Sequence, residues 1–281
     1  MTDSVPDEPT DLLFALVSGL YASVVAVPPA VLAASPRLTA PGAMYLAVVA
    51  GTALVTAAVT VAVRRTDGLA VRIGASSARF LPAVVPAMAV AAVAWGYTQA
   101  LGRLPSGFAV LLGGIAGIGG LALGGTLAVM ADTRYARAVT ARAETLHEWR
   151  APWPEGHRRL AKHAGIGVVV AAAGAFVAGA VLNRPVVRYG GQFALPFGVV
   201  VASWGQERTY RATSAGLETQ APVRRHLADW ERFDGYMITD TAIIIHPTAP
   251  WRLPLYFDRD ALGDANAVAD ALGSQLPRLP T

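Results

Sequence analysis

GGQFALPFGVVVASWG, residues 190–205, is the stretch on which the architecture of this chain turns. It carries no charged side chain, yet at about 16 residues it is shorter than the roughly 20 that a helix needs to cross a bilayer, and it contains Pro196. If it crosses, short or tilted, the number of spans is even and both chain ends share a compartment. If it does not, five spans remain and the residues after it lie on the opposite side.

Towards the N-terminus, five more uncharged apolar runs appear, over 12–34, 43–63, 80–101, 107–131 and 164–182, so six spans are expected. The totals agree: among 281 residues 54% are hydrophobic and 15% charged, with a mean hydropathy of +0.44, which is not the balance of a soluble protein. The N-terminus, MTDSVPDEPTD, holds four acids and no Lys or Arg, whereas a cleaved secretory signal has a positive leader, so the first run is expected to stay as a span.

Basic residues arbitrate the direction of the spans, because Lys and Arg stay on the cytoplasmic side. With six spans and a cytoplasmic N-terminus, the outer segments hold Arg37, Arg103, Arg184 and Arg188. The other 19 of the 23 basic residues fall in inner loops 64–79 and 132–163 and in the tail. Five spans would put the eight basic residues of the tail outside, against that rule. The expected organisation is therefore a transmembrane domain over 1–205 and a cytoplasmic domain over 206–281, in the cell membrane, with both termini inside.

Within the fourth run, GGIAGIGGLALGG (113–125), Gly113 and Gly117, and Gly120 and Gly124, are four apart on one helical face. This spacing lets a neighbouring helix approach closely, within one bundle or at a homo-oligomer seam. Pro82 and Pro86 sit where the third run begins and allow a kink. After the fourth run, TRYARAVTARAETLHEW (133–149) lacks Gly and Pro and is expected to continue helically until Pro152. Arg134, Arg137 and Arg142 on that segment would face anionic headgroups.

From about 206 the period changes to short apolar alternation, giving strands over 208–213, 216–220, 225–228, 233–239, 242–246 and 252–257. A closing helix follows, with Asp264 as N-cap and Ala267, Val268, Leu272 and Leu276 as its buried stripe. Together these make a small α+β domain, a curved sheet or barrel capped by one helix. The order of elements, with AGLE, then DWERFDGYMITDTAIII, then PLYFDRDAL and ANAVADAL, resembles the bacterial and archaeal PH-like domain found at the ends of small membrane proteins. The resemblance covers about Thr209 to Leu276 and rests on Trp230 opening a strand, the hairpin from Tyr236 to Ile245, and the strand ending at Phe257. It implies a core that includes Trp230, Tyr236, Ile243, Ile245, Phe257 and Leu272. It also implies a binding or assembly module rather than an enzyme. The tail is short for such a domain, so a first strand is expected from residues after the last span. Arg224, Arg225, Arg232 and Arg252 offer a positive face towards the inner leaflet or a partner.

Several chemistries find no residues to carry them. No cysteine is present, which excludes disulfides and thiolate sites. No charged or histidine side chain lies deep in a run, against proton relays, carboxylate-coupled carriers and bis-histidine haem. His147, His157 and His163 with Glu144, Glu148 and Glu155 are the only group of potential metal ligands, and they lack ligand spacing. No phosphate loop or nucleophile elbow occurs. Thr52, Thr56 and Thr60 form a mild polar row suited to helix packing, and Trp95, Tyr97, Thr98 and Gln99 an interfacial belt. The basic residues are arginine except Lys162, which with abundant Ala, Val and Gly points to a GC-rich prokaryotic coding sequence. The expectation is a non-enzymatic membrane scaffold without cofactor or metal. Its partners would be lipids and another membrane or cytosolic protein, not nucleic acid. A transporter or channel for an uncharged or lipid-like solute along the Gly-rich helices is the alternative.

Overall fold

The computed structural model describes residues 11–34, 40–82, 84–86, 113, 115–152, 155–203, 206–221 and 224–280. The chain forms two compact units, Met1–Arg142 with Val223–His226, and Ala143–Pro222 with Leu227–Thr281. This division differs from segments 1–205 and 206–281, because residues on both sides of the boundary at 205 belong to the second unit.

The first unit is helical. Helix α1 (Leu12–Ala34) starts at Asp11, whose carboxylate accepts the Phe14 N–H at 2.7 Å, an N-terminal cap. Helix α2 (Pro41–Arg64) opens on proline, whose missing N–H costs nothing in a first turn. Small residues let the two helices close up. Gly51 lies against Val27, while Thr60 Oγ1 donates to Ala15 O at 3.3 Å and Thr56 Oγ1 to Gly19 O at 3.5 Å. Thr56 and Thr60 thus serve helix packing. Gly68, with φ of 65°, takes the left-handed turn that a Cβ would disfavour and begins α3 (Leu69–Ala75). A single π-turn, Ile115–Gly119, leads into α4 (Gly120–Thr140), and Phe14, Ala70, Leu127 and Ala131 form the buried centre of the unit.

In the second unit, strand β1 (Thr145–Ala151) leads into helix α5 (Glu155–Val181), which is followed by α6 (Pro185–Ser203). The turn between the helices is held by Asn183 at φ 51°, a conformation asparagine tolerates, and by Arg184 N–H donating to Gly179 O at 2.7 Å. Strands β2 (Arg208–Thr213) and β3 (Gly216–Ala221) pair antiparallel with β1 and with each other, and β4 (Arg224–Ala228), whose first three residues belong to the first unit, completes the order β1-β2-β3-β4. Strands β5 (Phe233–Ile238), β6 (Ala242–Pro247) and β7 (Leu255–Asp258) make a second sheet, β5-β6-β7. Helix α7 (Ala265–Gly273) closes the unit. Asp264 caps it by accepting from Asn266 N–H and Ala267 N–H. The chain then returns to β5, with Leu279 N–H donating to Tyr236 O at 2.8 Å and Tyr236 N–H to Pro277 O at 3.0 Å.

One expectation is overturned by tertiary packing. The helix foreseen over 133–149 ends at Thr140, and residues 145–151 form a strand. In that conformation Trp149 and Ala151 alternate inward and are buried with Tyr210, which lies opposite Trp149, whereas a helix would scatter them round its circumference. The extra first strand of the sheet therefore comes from before the α5–α6 hairpin, not from residues after the last span.

Four described helices are long and apolar enough to cross a membrane: Leu12–Ala34, Gly42–Arg64, Ala116–Thr140 and Arg158–Val181. Of the third expected run, residues 87–101, with Trp95, Tyr97, Thr98 and Gln99, lie outside the described residues. Residues 190–203 of the sixth run fall within the 19-residue α6, which is not one of the four, and 204–205 lie outside the described residues.

Candidate functional site

Helix α4 carries the most heavily engaged polar group described. Asp132 is 1% exposed. Arg79 Nη1 stands 3.3 Å from its Oδ1, while Arg224 donates to Oδ2 through Nε at 2.9 Å and Nη2 at 2.8 Å. His226 Nδ1 lies 3.0 Å and 3.1 Å from the two oxygens. An ionised carboxylate only accepts, so Nδ1 carries the proton. Next along the helix, Thr133 Oγ1 accepts the Arg225 N–H at 3.2 Å. Adjacent residues of α4 thus hold Arg224–His226 by side chain and backbone together. The carboxylate is spent on three cationic or donor side chains, which makes it a structural pin. Removing one partner of such a buried set costs far more than an exposed pair.

Sequence reasoning missed Asp132 because it was taken for the first residue of a solvated loop. The available signal was an acid one residue beyond an apolar run, on a helix whose neighbouring loops hold an excess of arginine.

Charge pairing also decides what the expected contact arginines do. Arg134 bonds Asp11 and lies over the Phe14 ring. Burial raises the Asp11 carboxyl, but the Phe14 N–H and the Arg134 guanidinium outweigh it and hold it below the ordinary carboxylate range. Arg224 is bound to Asp132, and Arg232 lies 3.3 Å from Asp229. Arg225 is half-buried with its backbone on Thr133. Arg137, Arg142 and Arg252 are exposed. On the sheet, Glu148, Arg211 and Glu218 are cross-strand neighbours. Arg211 Nε and Nη2 donate to Glu148 at 3.0 and 2.8 Å, and Nη1 stands 3.6 Å from the fully buried Glu218.

The expected packing glycines behave differently from one another. Gly120 lies under Pro86 and Val25, and its neighbour Gly119 under Val24; Gly117 and Gly124 are buried, and Gly113 faces nothing within 4 Å. Tyr236, Ile243, Ile245, Phe257 and Leu272 share one buried cluster. Trp230 packs against its edge from a short 3-10 turn (Trp230–Arg232) and donates Nε1–H to Thr213 O at 2.9 Å. Trp149, Ala151 and Tyr210 belong to the same cluster, and burial pushes the Tyr210 phenol up, slightly offset by Arg208. Val268, Leu272 and Leu276 of the closing stripe are in the core, while Ala267 is only half-buried. Among the described residues no three His, Asp or Glu side chains form a metal group.

One surface of the second unit stands out from the rest. In the β6–β7 loop, Trp251 is 83% and Leu253 78% exposed, on either side of exposed Arg252 and between Pro250 and Pro254. Backbone and side-chain contacts locate this loop. The chain leaves the sheet for α5 at Ala151 and returns from α6 at Arg208, which pair across β1 and β2. Five residues along β2, about 17 Å away at strand rise, Thr213 O receives Trp230 Nε1–H. Thr248, at the base of the loop, bonds Glu231 and Arg232 next to that tryptophan. The apolar loop therefore hangs at the end of the sheet remote from the α5–α6 hairpin. No family model, characterised protein or solved structure matches this chain.

Proposed function

We propose that this chain is an integral membrane scaffold that presents a PH-like domain at the inner membrane surface and binds a protein partner there through the Trp251–Arg252–Leu253 loop. The membrane part of this reading is supported by four apolar helices of spanning length and by the gathering of arginine on one side of the expected spans. The PH-like part is supported by four antiparallel strands, three more, and a capping helix in that chain order.

The observation that carries the partner reading is the loop. A tryptophan and a leucine left in water forgo burial worth roughly 1.5–3 kcal/mol for a large side chain, and Trp and Arg dominate binding hot spots. Prolines on both sides limit the entropy lost on docking. Because residues 246–257 contain Arg252 and no acid, the fitting partner offers an apolar pocket with a carboxylate at its rim. The loop's place, remote from the hairpin, favours an approach from the aqueous side.

The test is a native pull-down of the full chain in mild detergent, wild type beside Trp251→Ser. A stoichiometric polypeptide should accompany the wild type and be lost from the variant, whose thermal stability should stay within about 0.5 kcal/mol. Equal recovery with both, or no polypeptide with either, would sink the proposal. A transporter or channel gains no specific support, since the close approaches at Gly119 and Gly120 are filled by Val24, Val25 and Pro86.

A further inference from the structure

Three of the arginines that the sequence offers to the bilayer are engaged within the chain. Arg134, Arg224 and Arg232 are each bound to an acid of the chain itself. In contrast, Arg158, Arg159 and Lys162 are all exposed, and they stand on α5, not in the loop that the sequence suggests for 132–163. At about 100° per residue, Arg158, Lys162 and Arg159 fall within an arc of roughly 100°, so they share one face.

Gly165 contacts Gly198 and Ala202, and Gly191 contacts Ala172 and Phe176, so backbone closes the seam with α6. On the same wheel Gly165 falls about 20° from Arg158, so the basic arc begins on the seam side of α5, N-terminal to these α6 contacts, and all three side chains are exposed there. Only Arg159 has an acidic partner among the described residues, Glu155 one turn earlier, and both are solvated. From Ala164 to Val181 the same helix carries no charge. Lys162 is therefore about 3 Å along the axis from the start of the apolar stretch, at the depth where phosphates of the leaflet lie. Long basic side chains at such a boundary run their methylenes along the apolar surface and put their charge among headgroups.

We infer that Arg158, Arg159 and Lys162 form a collar on α5 that binds the phosphate of an anionic phospholipid headgroup and so fixes the depth of this helix at the membrane surface. Arg158 and Arg159 give planar forks that take phosphate oxygens in pairs, and Lys162 a mobile point charge beneath them. The inference deepens the membrane half of the proposed function and is independent of the Trp251 loop. Loss of lipid binding with intact partner recovery, or the reverse, separates the two.

The test uses the full chain, purified in detergent and equilibrated with equal amounts of a phosphatidylglycerol and a phosphatidylcholine of the same acyl chains, with retained lipid counted by native mass spectrometry. Wild type should retain the anionic lipid preferentially, and enrichment should fall about fivefold for each cation neutralised in R158Q, R159Q and K162Q, singly and combined. The charge-keeping variant R158K/R159K should retain most of the enrichment, which separates loss of charge from loss of folding. Equal retention of both lipids by wild type, or an unchanged ratio in the combined variant, overturns the inference. So does displacement of the lipid by millimolar inorganic phosphate, which would mean a site for free anions.

Discussion

The α5–α6 hairpin and the sheet core belong to the same compact unit and are packed by opposite means. Between α5 and α6 the contacts are backbone on small residues: Gly198 lies against Val169 and the Gly165 carbonyl, and Gly191 against Phe176 N and Ala175. In the sheet core the contacts are large rings. Phe257 meets Tyr210 edge-on with centroids 4.7 Å apart and Trp149 at 5.6 Å, while Trp149 stacks on Tyr210 at 6.0 Å. Under the proposed membrane reading, the difference follows from the solvent. A ring removed from water gains the hydrophobic free energy of its whole area. A ring removed from lipid gains almost none of it, so helices there are held by close van der Waals approach, for which glycine is the best residue.

This contrast can be broken at its strongest point by Phe257→Ala. The side chain is fully buried, so the lost transfer energy and the cavity together should cost about 3–5 kcal/mol. Thermal unfolding followed by near-UV circular dichroism would show it, and a loss below about 1 kcal/mol would mean that the sheet is not packed by its rings.

Asp132→Ala tests a third means of packing, a polar pin. Buried Arg79 would lose its carboxylate and keep the Gly74 carbonyl, while Arg224, with its side chain 40% exposed, can turn to water, so the cost should be about 1–3 kcal/mol. Protease cleavage near residues 222–226 should speed up sharply. An unchanged cleavage rate would show that the strand is held by something else.

A similar effect is expected on the hairpin. Gly191→Leu places a side chain where Phe176 N would stand 2.5 Å from the new Cβ, and overpacking of this kind costs about 1–3 kcal/mol. Cysteine pairs introduced across α5 and α6 should then cross-link more slowly; an unaltered rate would deny that the seam depends on glycine. The least change should follow Asp264→Ala, which removes the cap of α7 and costs about 1 kcal/mol. Hydrogen exchange at Asn266 and Ala267 reads it directly, and unchanged protection there would rule out the cap.

The periodicities of the sequence were enough for much of this. Uncharged runs marked helices of spanning length, and alternation from residue 208 marked six strands within a few residues of their limits. Asp264 was legible as a cap because capping is a matter of three consecutive residues. Thr145–Ala151 was not legible: TLHEWRA has no strong alternation of its own, and the choice of strand depends on Tyr210 and Phe257, far away in sequence. Asp132 and Glu218 were missed for the same reason, since burial of a charge depends on which cations the fold brings to it.

By itself, then, the sequence determined what local chemistry can determine: where the chain is too apolar for water, where its period switches from helix to strand, and between which apolar runs its arginines gather. Only the tertiary structure decided which of those arginines are paired with acids and which stay exposed. It also made residues 145–151 the first strand of the sheet and left Trp251 in solvent. Each of these outcomes is set by contacts between residues distant along the chain, whose free energies exceed the small local preferences that a sequence displays.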